Sequence, residues 1–204
     1  MLTAFTAGLL LITVSELGDK TFFIAVILAM KHPRKLVFIG VASALAAMTI
    51  LSVLFGQVVS LLPTIYLKYA EIVLFFAFGV KLLCQAIKMS DFSSDQEIDE
   101  AKEAVEKAEL QTKSKTPLAI LIEAFTLTFV AEWGDRTQIA TIALAARYNT
   151  VGVATGAVLG HALCTAIAVI GGRLIAGRIS ERQLTFAGGC LFLIFGIVAA
   201  VEGI

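Results

Sequence analysis

Six long apolar runs, separated by short polar turns and one longer polar segment, dominate this chain of 204 residues. A helix needs about 20 residues to cross the hydrocarbon core of a bilayer. Each run is close to that length or longer. The pattern therefore predicts an all-α integral membrane protein with six transmembrane helices, at residues 2–30, 36–62, 66–86, 118–146, 151–172 and 184–201.

The longer polar segment, residues 89–117, divides the chain into two apolar domains, 1–88 and 118–204. It holds eight acidic and four basic residues, whereas the whole chain has 16 of each and no net charge. Glu103 and Lys107 are spaced as an i,i+4 pair in a stretch that is typical of a solvated helix. Thr116, just before a proline, is a candidate N-cap for the next helix. We therefore expect an acidic connector between two membrane domains.

The composition narrows the classes of function. Apolar residues make up 58% of the chain and charged residues 16%, against about 25% charged residues in ordinary soluble domains. The lipid bilayer is therefore the expected environment. No basic stretch dominates, so nucleic acid is not an expected partner. The three cysteines lie far apart in apolar runs, which fits neither a disulfide framework nor a zinc site.

Basic residues predict the orientation. They cluster in the turns after the first and fifth predicted helices, at Lys31, Arg34, Lys35, Arg173, Arg178 and Arg182. These turns and the connector lie on one side of the predicted membrane protein. Since basic turns favour the cytoplasmic side, we expect a cytoplasmic connector and both termini on the opposite side. Glu71 lies near a helix end and is expected to be solvated.

The two domains are related by an internal repeat. The sequence E-L-G-D-K-T at 16–21 recurs 116 residues later as E-W-G-D-R-T at 132–137, and Gly40 matches Gly156 at the same offset. Three crossings per domain, an odd number, place the two starts on opposite faces of the membrane. The sequence therefore predicts two inverted three-helix repeats, an architecture found in secondary transporters with sites near the midplane.

Four acidic residues lie near the middle of the first and fourth predicted helices: Glu16, Asp19, Glu132 and Asp135. An i,i+3 spacing on one helix would put the Glu and the Asp of each motif on the same face. A charged side chain at this depth costs at least about 2.5–3.5 kcal/mol. Lys20 and Arg136 supply two compensating charges, which leaves a charge suited to one divalent cation or two protons. Oxygen ligands suit Ca²⁺, Mn²⁺ or Mg²⁺.

Several neighbouring residues have two open interpretations. Lys20 and Arg136 are charge partners or gating residues, or they form i,i+4 pairs with the glutamates that serve only folding. Auxiliary oxygen ligands for a cation could come from Thr21, Thr137 and Gln138, or these side chains form hydrogen bonds between helices. Gly18 and Gly134 allow either close helix approach or a local break. His161, whose repeat counterpart is Leu45, is a proton relay or a packed, hydrogen-bonded residue.

The two motifs resemble those of a known family of cation transporters. Its members include Golgi proteins of yeast and animals, and manganese transporters of chloroplasts and cyanobacteria. The resemblance implies export of Mn²⁺ or Ca²⁺ from the cytoplasm in exchange for protons, with no cofactor. It also implies that the acids of 16–21 and 132–137 bind the cation. The sequence of the chain resembles those of cyanobacterial members. This resemblance implies that the protein lies in a bacterial plasma or thylakoid membrane.

Other classes of function stay open at this stage. A passive divalent-cation channel or an assembly factor would also contain charged motifs in an apolar body. An intramembrane aspartyl protease would use Asp19 and Asp135 as its dyad, although each has a glutamate beside it. The sequence does not choose between Mn²⁺ and Ca²⁺, and it leaves open whether the chain forms a homo-oligomer.

Overall fold

The computed structural model describes residues 1–89, 96–111, 116–175 and 181–201, and this part of the chain folds into nine α-helices without strands. The helices are α1 (Leu2–Glu16), α2 (Lys20–Lys31), α3 (Arg34–Val59), α4 (Thr64–Lys88), α5 (Gln96–Gln111), α6 (Pro117–Ala131), α7 (Arg136–Arg147), α8 (Thr150–Ile175) and α9 (Glu181–Val201). The prediction of an all-α protein is confirmed. Arg178, which was expected in a basic turn, lies outside the described residues.

Four of the described helices, α3, α4, α8 and α9, are long and apolar enough to cross a membrane. A fifth candidate is the pair α6 and α7, whose axes are bent by 73°. Helix α1 is apolar but has only 15 residues. The structure therefore supports four to five candidate spans by length and composition, and six crossings stay a prediction.

The first and fourth apolar runs are each interrupted at the repeated motif. Helix α1 ends at Glu16 and α2 begins at Lys20, while α6 ends at Ala131 and α7 begins at Arg136. The expectation that Glu and Asp share a face of one helix is therefore wrong. Gly18 and Gly134 each lie at a local break between two helices, which is one of the two roles expected for them.

Helix packing follows the repeat. Helix α3 contacts α6, and its counterpart α8 contacts α1. A Cβ on Gly40 would lie 2.7 Å from the Cβ of Ala124, and one on Gly156 would collide with the Phe5 carbonyl oxygen. Glycine at these matched positions therefore lets the backbones approach closely. Helices α4 and α9, which also correspond in the repeat, pack against each other.

The connector helix α5 packs against α2. Its Ala101 and Val105 are 0% exposed and belong to an apolar cluster formed largely with α2, α3, α6 and α8. The expectation of a solvated helix is therefore wrong for this face. On the exposed side, Lys107 donates to Glu103 at 2.6 Å and holds the pKa of Glu103 below its ordinary value. The predicted N-cap is confirmed, since the Thr116 hydroxyl accepts a backbone N–H of α6 at 3.3 Å.

Glu71 differs from the sequence expectation. It lies on α4, is 2% exposed, and forms an ion pair with Arg147 at the end of α7. The sequence shows only that Glu71 lies near a predicted helix end, and that position favours a solvated side chain. Tertiary packing instead buries the carboxylate, and burial of a charge requires a partner of opposite sign. The pair thus joins the two halves of the protein away from the motifs.

Candidate metal centre

Each motif forms a short turn between two helices. Gly18 and Gly134 have φ of 78° and 83°, values that glycine adopts without the steric cost of a Cβ. The backbone N–H of Asp19 donates to the carbonyl of Glu16 at 3.2 Å, and the N–H of Asp135 donates to that of Glu132 at 3.1 Å. Each Asp then occupies the N-cap of the following helix. The same local sequence thus builds the same turn twice.

Three of the four predicted acids lie together. One carboxylate oxygen from each of Glu16, Asp19 and Glu132 lies within 4.8 Å of the other two. Glu16 and Glu132 are each 2% exposed, and the Asp19 side chain is 10% exposed. Two oxygens bound to one Ca²⁺ at about 2.3–2.6 Å can be no more than about 5 Å apart. The cluster, which includes both halves of the chain, therefore has the size of a cation site.

A threonine holds each glutamate of the cluster. The Thr21 hydroxyl donates to Glu16 Oε2 at 3.1 Å, and the Thr137 hydroxyl donates to Glu132 Oε2 at 3.3 Å. The other oxygen, Oε1, of each glutamate has no hydrogen-bond donor in the described part of the chain. Such a buried polar atom is costly without a partner. Each glutamate thus has one anchored oxygen and one oxygen available to a ligand.

The two basic residues of the motifs have different partners. Arg136 Nη2 lies 2.5 Å from Asp19 Oδ1 and also donates to the Ser15 carbonyl at 3.4 Å. Lys20 instead pairs with Glu100 of the connector helix at 3.1 Å. These contacts are not the i,i+4 pairs with the glutamates of the same motifs. With Lys20 directed to the connector, the four acids and Arg136 carry three formal negative charges rather than the two expected.

Asp135 and Gln138 hold the second turn. Asp135 Oδ2 accepts the backbone N–H of Thr137 at 3.1 Å, and at 3.0 Å it shares the single hydroxyl proton of Thr137 with Glu132 Oε2. Gln138 Oε1 accepts the N–H of Gly134 at 2.7 Å, and its Nε2 donates to Met48 Sδ at 3.3 Å. Because the Thr137 hydroxyl contacts both Glu132 and Asp135, Asp135 lies beside the three-carboxylate cluster. The contacts of Gln138 are with the turn and with α3.

Two contacts of the motif residues were not predicted from the sequence. Lys20 pairs with Glu100, an acidic residue of the connector. His161 Nδ1 lies 3.9 Å from Glu16 Oε1. Both contacts join residues far apart in the chain, which local spacing rules do not address. The one available signal was the break in repeat symmetry, which puts a histidine where the first half has Leu45.

The arrangement suits a divalent cation that prefers oxygen ligands. Several carboxylate oxygens, a high negative charge and near-complete burial are the features by which proteins bind hard cations such as Ca²⁺ and Mg²⁺, and Mn²⁺ accepts the same ligands. The described residues contain no cysteine in the cluster. Its carboxylates would bind protons when no cation is present, because an uncompensated buried charge is unfavourable.

Comparison with known proteins gives a consistent picture. The family model described as "Divalent cation/proton antiporter GDT1" matches residues 4–90 and 120–204. The chain is 58% identical over 200 residues to a GDT1-like protein of Synechocystis, covering 98% of this chain and 97% of the relative. It is 45% identical over 203 residues to GDT1-like protein 3 of Oryza sativa subsp. indica, covering 95% and 72%.

A chloroplast relative is also similar. The PAM71-homolog protein of Arabidopsis thaliana is 42% identical over 208 residues, which covers 95% of this chain and 58% of the relative. No solved structure matches the chain. The family match excludes the aspartyl protease considered for Asp19 and Asp135, since its members are transporters rather than enzymes. The chain belongs to the GDT1 family of divalent cation/proton antiporters and is a multi-pass membrane transport protein.

Proposed function

We propose that this protein exports Mn²⁺ and/or Ca²⁺ from the cytoplasm in exchange for protons, through a site formed by Glu16, Asp19, Glu132 and Asp135. One observation carries the proposal. Carboxylate oxygens from both halves of the chain lie within 4.8 Å of one another, and both glutamates are 2% exposed. Such a cluster requires either a cation or protons to compensate its charge.

Competition for the same oxygens provides the coupling. A cation binds the deprotonated carboxylates, so its binding displaces protons, and protons that return displace the cation. One divalent ion and two protons carry the same charge. Exchange of one for the other therefore keeps the charge of the buried site constant, which avoids the cost of an additional uncompensated charge in a low-dielectric environment.

We propose six membrane crossings, with α1–α2 and α6–α7 each counted as one broken crossing. The halves 1–88 and 118–204 then form inverted three-helix repeats. The matched contacts of α1 with α8 and of α6 with α3 support this arrangement. In inverted-repeat transporters, broken helices line a central site, and one unit moves against the other. The ion pair between Asp19 and Arg136 would lie across that boundary.

The other motif residues have supporting roles in this scheme. Arg136 is a charge partner of the acids, and Thr21 and Thr137 orient the two glutamates. Lys20, which pairs with the connector, is a candidate gating residue. The cyanobacterial and chloroplast relatives favour a plasma or thylakoid membrane, and basic turns favour the cytoplasmic side of it. The connector would then be cytoplasmic, with both termini on the opposite side.

The test is transport by the purified full chain in liposomes with an imposed pH gradient. Mn²⁺, Ca²⁺ and Mg²⁺ are offered singly and in competition, and both metal uptake and proton movement are recorded. We expect uptake to require the gradient and to be abolished by Glu16→Gln and by Asp135→Asn. Glu106→Gln, an exposed acid of the connector, is the matched control.

Three results would contradict parts of the proposal. Uptake that persists after both substitutions would remove the carboxylate site from the mechanism. Metal flux without proton movement would indicate a channel. An absence of flux for all three ions would contradict transport of these cations.

A further inference from the structure

His161 on α8 directs a ring nitrogen toward the candidate site. Its Nδ1 lies 3.9 Å from Glu16 Oε1, and the residue is 6% exposed. This distance is too long for a hydrogen bond. It is the separation expected for two ligands of one ion, since donors about 2.0–2.6 Å from a cation lie about 3–5 Å apart.

Both facing atoms lack hydrogen-bond partners. Neither His161 Nδ1 nor Glu16 Oε1 has one in the described ranges of the chain. The second oxygen of Glu16 is held by Thr21, so the carboxylate is fixed with its unbonded oxygen toward the imidazole. A buried nitrogen and a buried oxygen that face each other without a bond are unfavourable. A cation between them would satisfy both at once.

The two halves of the site differ at this position. At the repeat offset, the counterpart of His161 is Leu45, which is buried on α3. Glu132 Oε1 is also without a hydrogen bond, but Leu45, which the repeat relates to His161 and which lies in the other half from Glu132, offers no ligand atom. The single nitrogen therefore makes the ligand set asymmetric. It adds a donor that the repeated motif itself does not contain.

We infer that His161 is a nitrogen ligand of the transported cation and that it favours first-row transition-metal ions over Ca²⁺ and Mg²⁺. The inference rests on the proposed function, because it adds a ligand to that site. Ca²⁺ and Mg²⁺ take oxygen ligands almost exclusively, whereas imidazole binds first-row transition metals. An oxygen-rich site with one imidazole therefore discriminates between ions of the same charge.

The direct test uses Mn²⁺ bound to the purified full chain and electron spin-echo spectroscopy, which detects nitrogen coordinated to the metal. We expect a ¹⁴N signal in the unmodified protein and its loss in His161→Leu, which installs the residue of the repeat counterpart. The chain has two histidines. His32→Gln is therefore the matched control, and it should keep the signal. His161→Gln retains a polar side chain and should bind Mn²⁺ without the nitrogen signal, should the leucine variant fail to fold.

Competitive uptake in liposomes tests the effect on selectivity. In His161→Leu we expect the preference for Mn²⁺ over Ca²⁺ to fall by about tenfold or more, with Ca²⁺ uptake retained. Bound Mn²⁺ without a ¹⁴N signal, or an unchanged Mn²⁺/Ca²⁺ ratio, would overturn the inference and leave the proposed function intact. Failure of the unmodified protein to bind or transport either ion would overturn both.

Discussion

The guanidinium of Arg136, at the start of α7, lies 2.5 Å from the carboxylate of Asp19, at the start of α2. The two residues occupy adjacent positions in their motifs but belong to different halves of the chain. Their pairing brings the two helix breaks together. It also neutralises one acid of the cluster, which leaves Glu16 and Glu132 as the uncompensated carboxylates. One contact between the repeats thus joins the two helix breaks and lowers the charge of the carboxylate cluster.

This contact predicts thermodynamic coupling between the halves. Asp19→Asn and Arg136→Gln should each lower the free energy of unfolding in mixed micelles, because each leaves a partly buried charge without its partner. The double variant should lose less than the sum, by about 1–3 kcal/mol. The exposed pair Glu103 and Lys107 is the control, with an expected coupling of about 0.5 kcal/mol or less. Additive effects at Asp19 and Arg136 would contradict the prediction.

The two motif glycines should respond differently to alanine. Both have positive φ, so each substitution should cost about 1–2 kcal/mol. A Cβ on Gly18 would also lie 2.5 Å from Leu184 Cδ1, whereas one on Gly134 would have nothing within 4 Å. We therefore expect Gly18→Ala to lower the thermal unfolding temperature more than Gly134→Ala does.

Leu184→Ala provides the matched test of that clash. In its background, the additional cost of Gly18→Ala should fall to that of Gly134→Ala, because the methyl group then has space. A larger effect of Gly134→Ala in the unmodified background would show that steric contact with α9 is not what distinguishes the two turns.

Apolar contact, rather than the ion pair with Lys20, should hold the connector helix. Burial of a valine stabilises by about 1.5–3 kcal/mol, whereas an exposed ion pair contributes about 0–1 kcal/mol. Val105→Asp should therefore raise the rate of tryptic cleavage within α5 by about tenfold or more, through local opening. Glu100→Gln, which removes only the ion pair, should change the rate little. The reverse order would mean that the salt bridge docks the helix.

The sequence could predict which residues would meet, because repetition carries long-range information. A six-residue motif found twice placed Glu16 and Glu132 in equivalent environments, and the structure brings them to one cluster. The length of the apolar runs also predicted that the chain would be helical. For Gly18, a helix break and close helix approach were both open, because the sequence does not show whether a glycine within an apolar run has a positive φ.

Partners of single charged residues could not be predicted in this way. Lys20 pairs with Glu100, 80 residues away, and Arg147 pairs with Glu71, 76 residues away. Local spacing rules consider only i,i+3 and i,i+4 neighbours, so they missed both pairs. The packing of α5 against the other helices could have been predicted from the sequence. Ala101 and Val105 are spaced i,i+4, which puts an apolar stripe on an otherwise charged helix.

The threonines that hold the glutamates should determine cation affinity. Thr21→Val and Thr137→Val each remove the hydroxyl that donates to a glutamate Oε2. A hydrogen bond to a charged group contributes about 1.5–3 kcal/mol, so we expect the KM for divalent-cation uptake to rise by about tenfold or more.

The measurement is initial uptake into liposomes over a range of cation concentrations. Serine at either position keeps the hydroxyl and should restore the KM. Thr155→Val is the control, since that exposed hydroxyl donates only to backbone carbonyls of its own helix. If both motif variants kept an unchanged KM, the free rotation of the two glutamates would have no effect on binding, and the threonines would serve only the packing of α2 and α7.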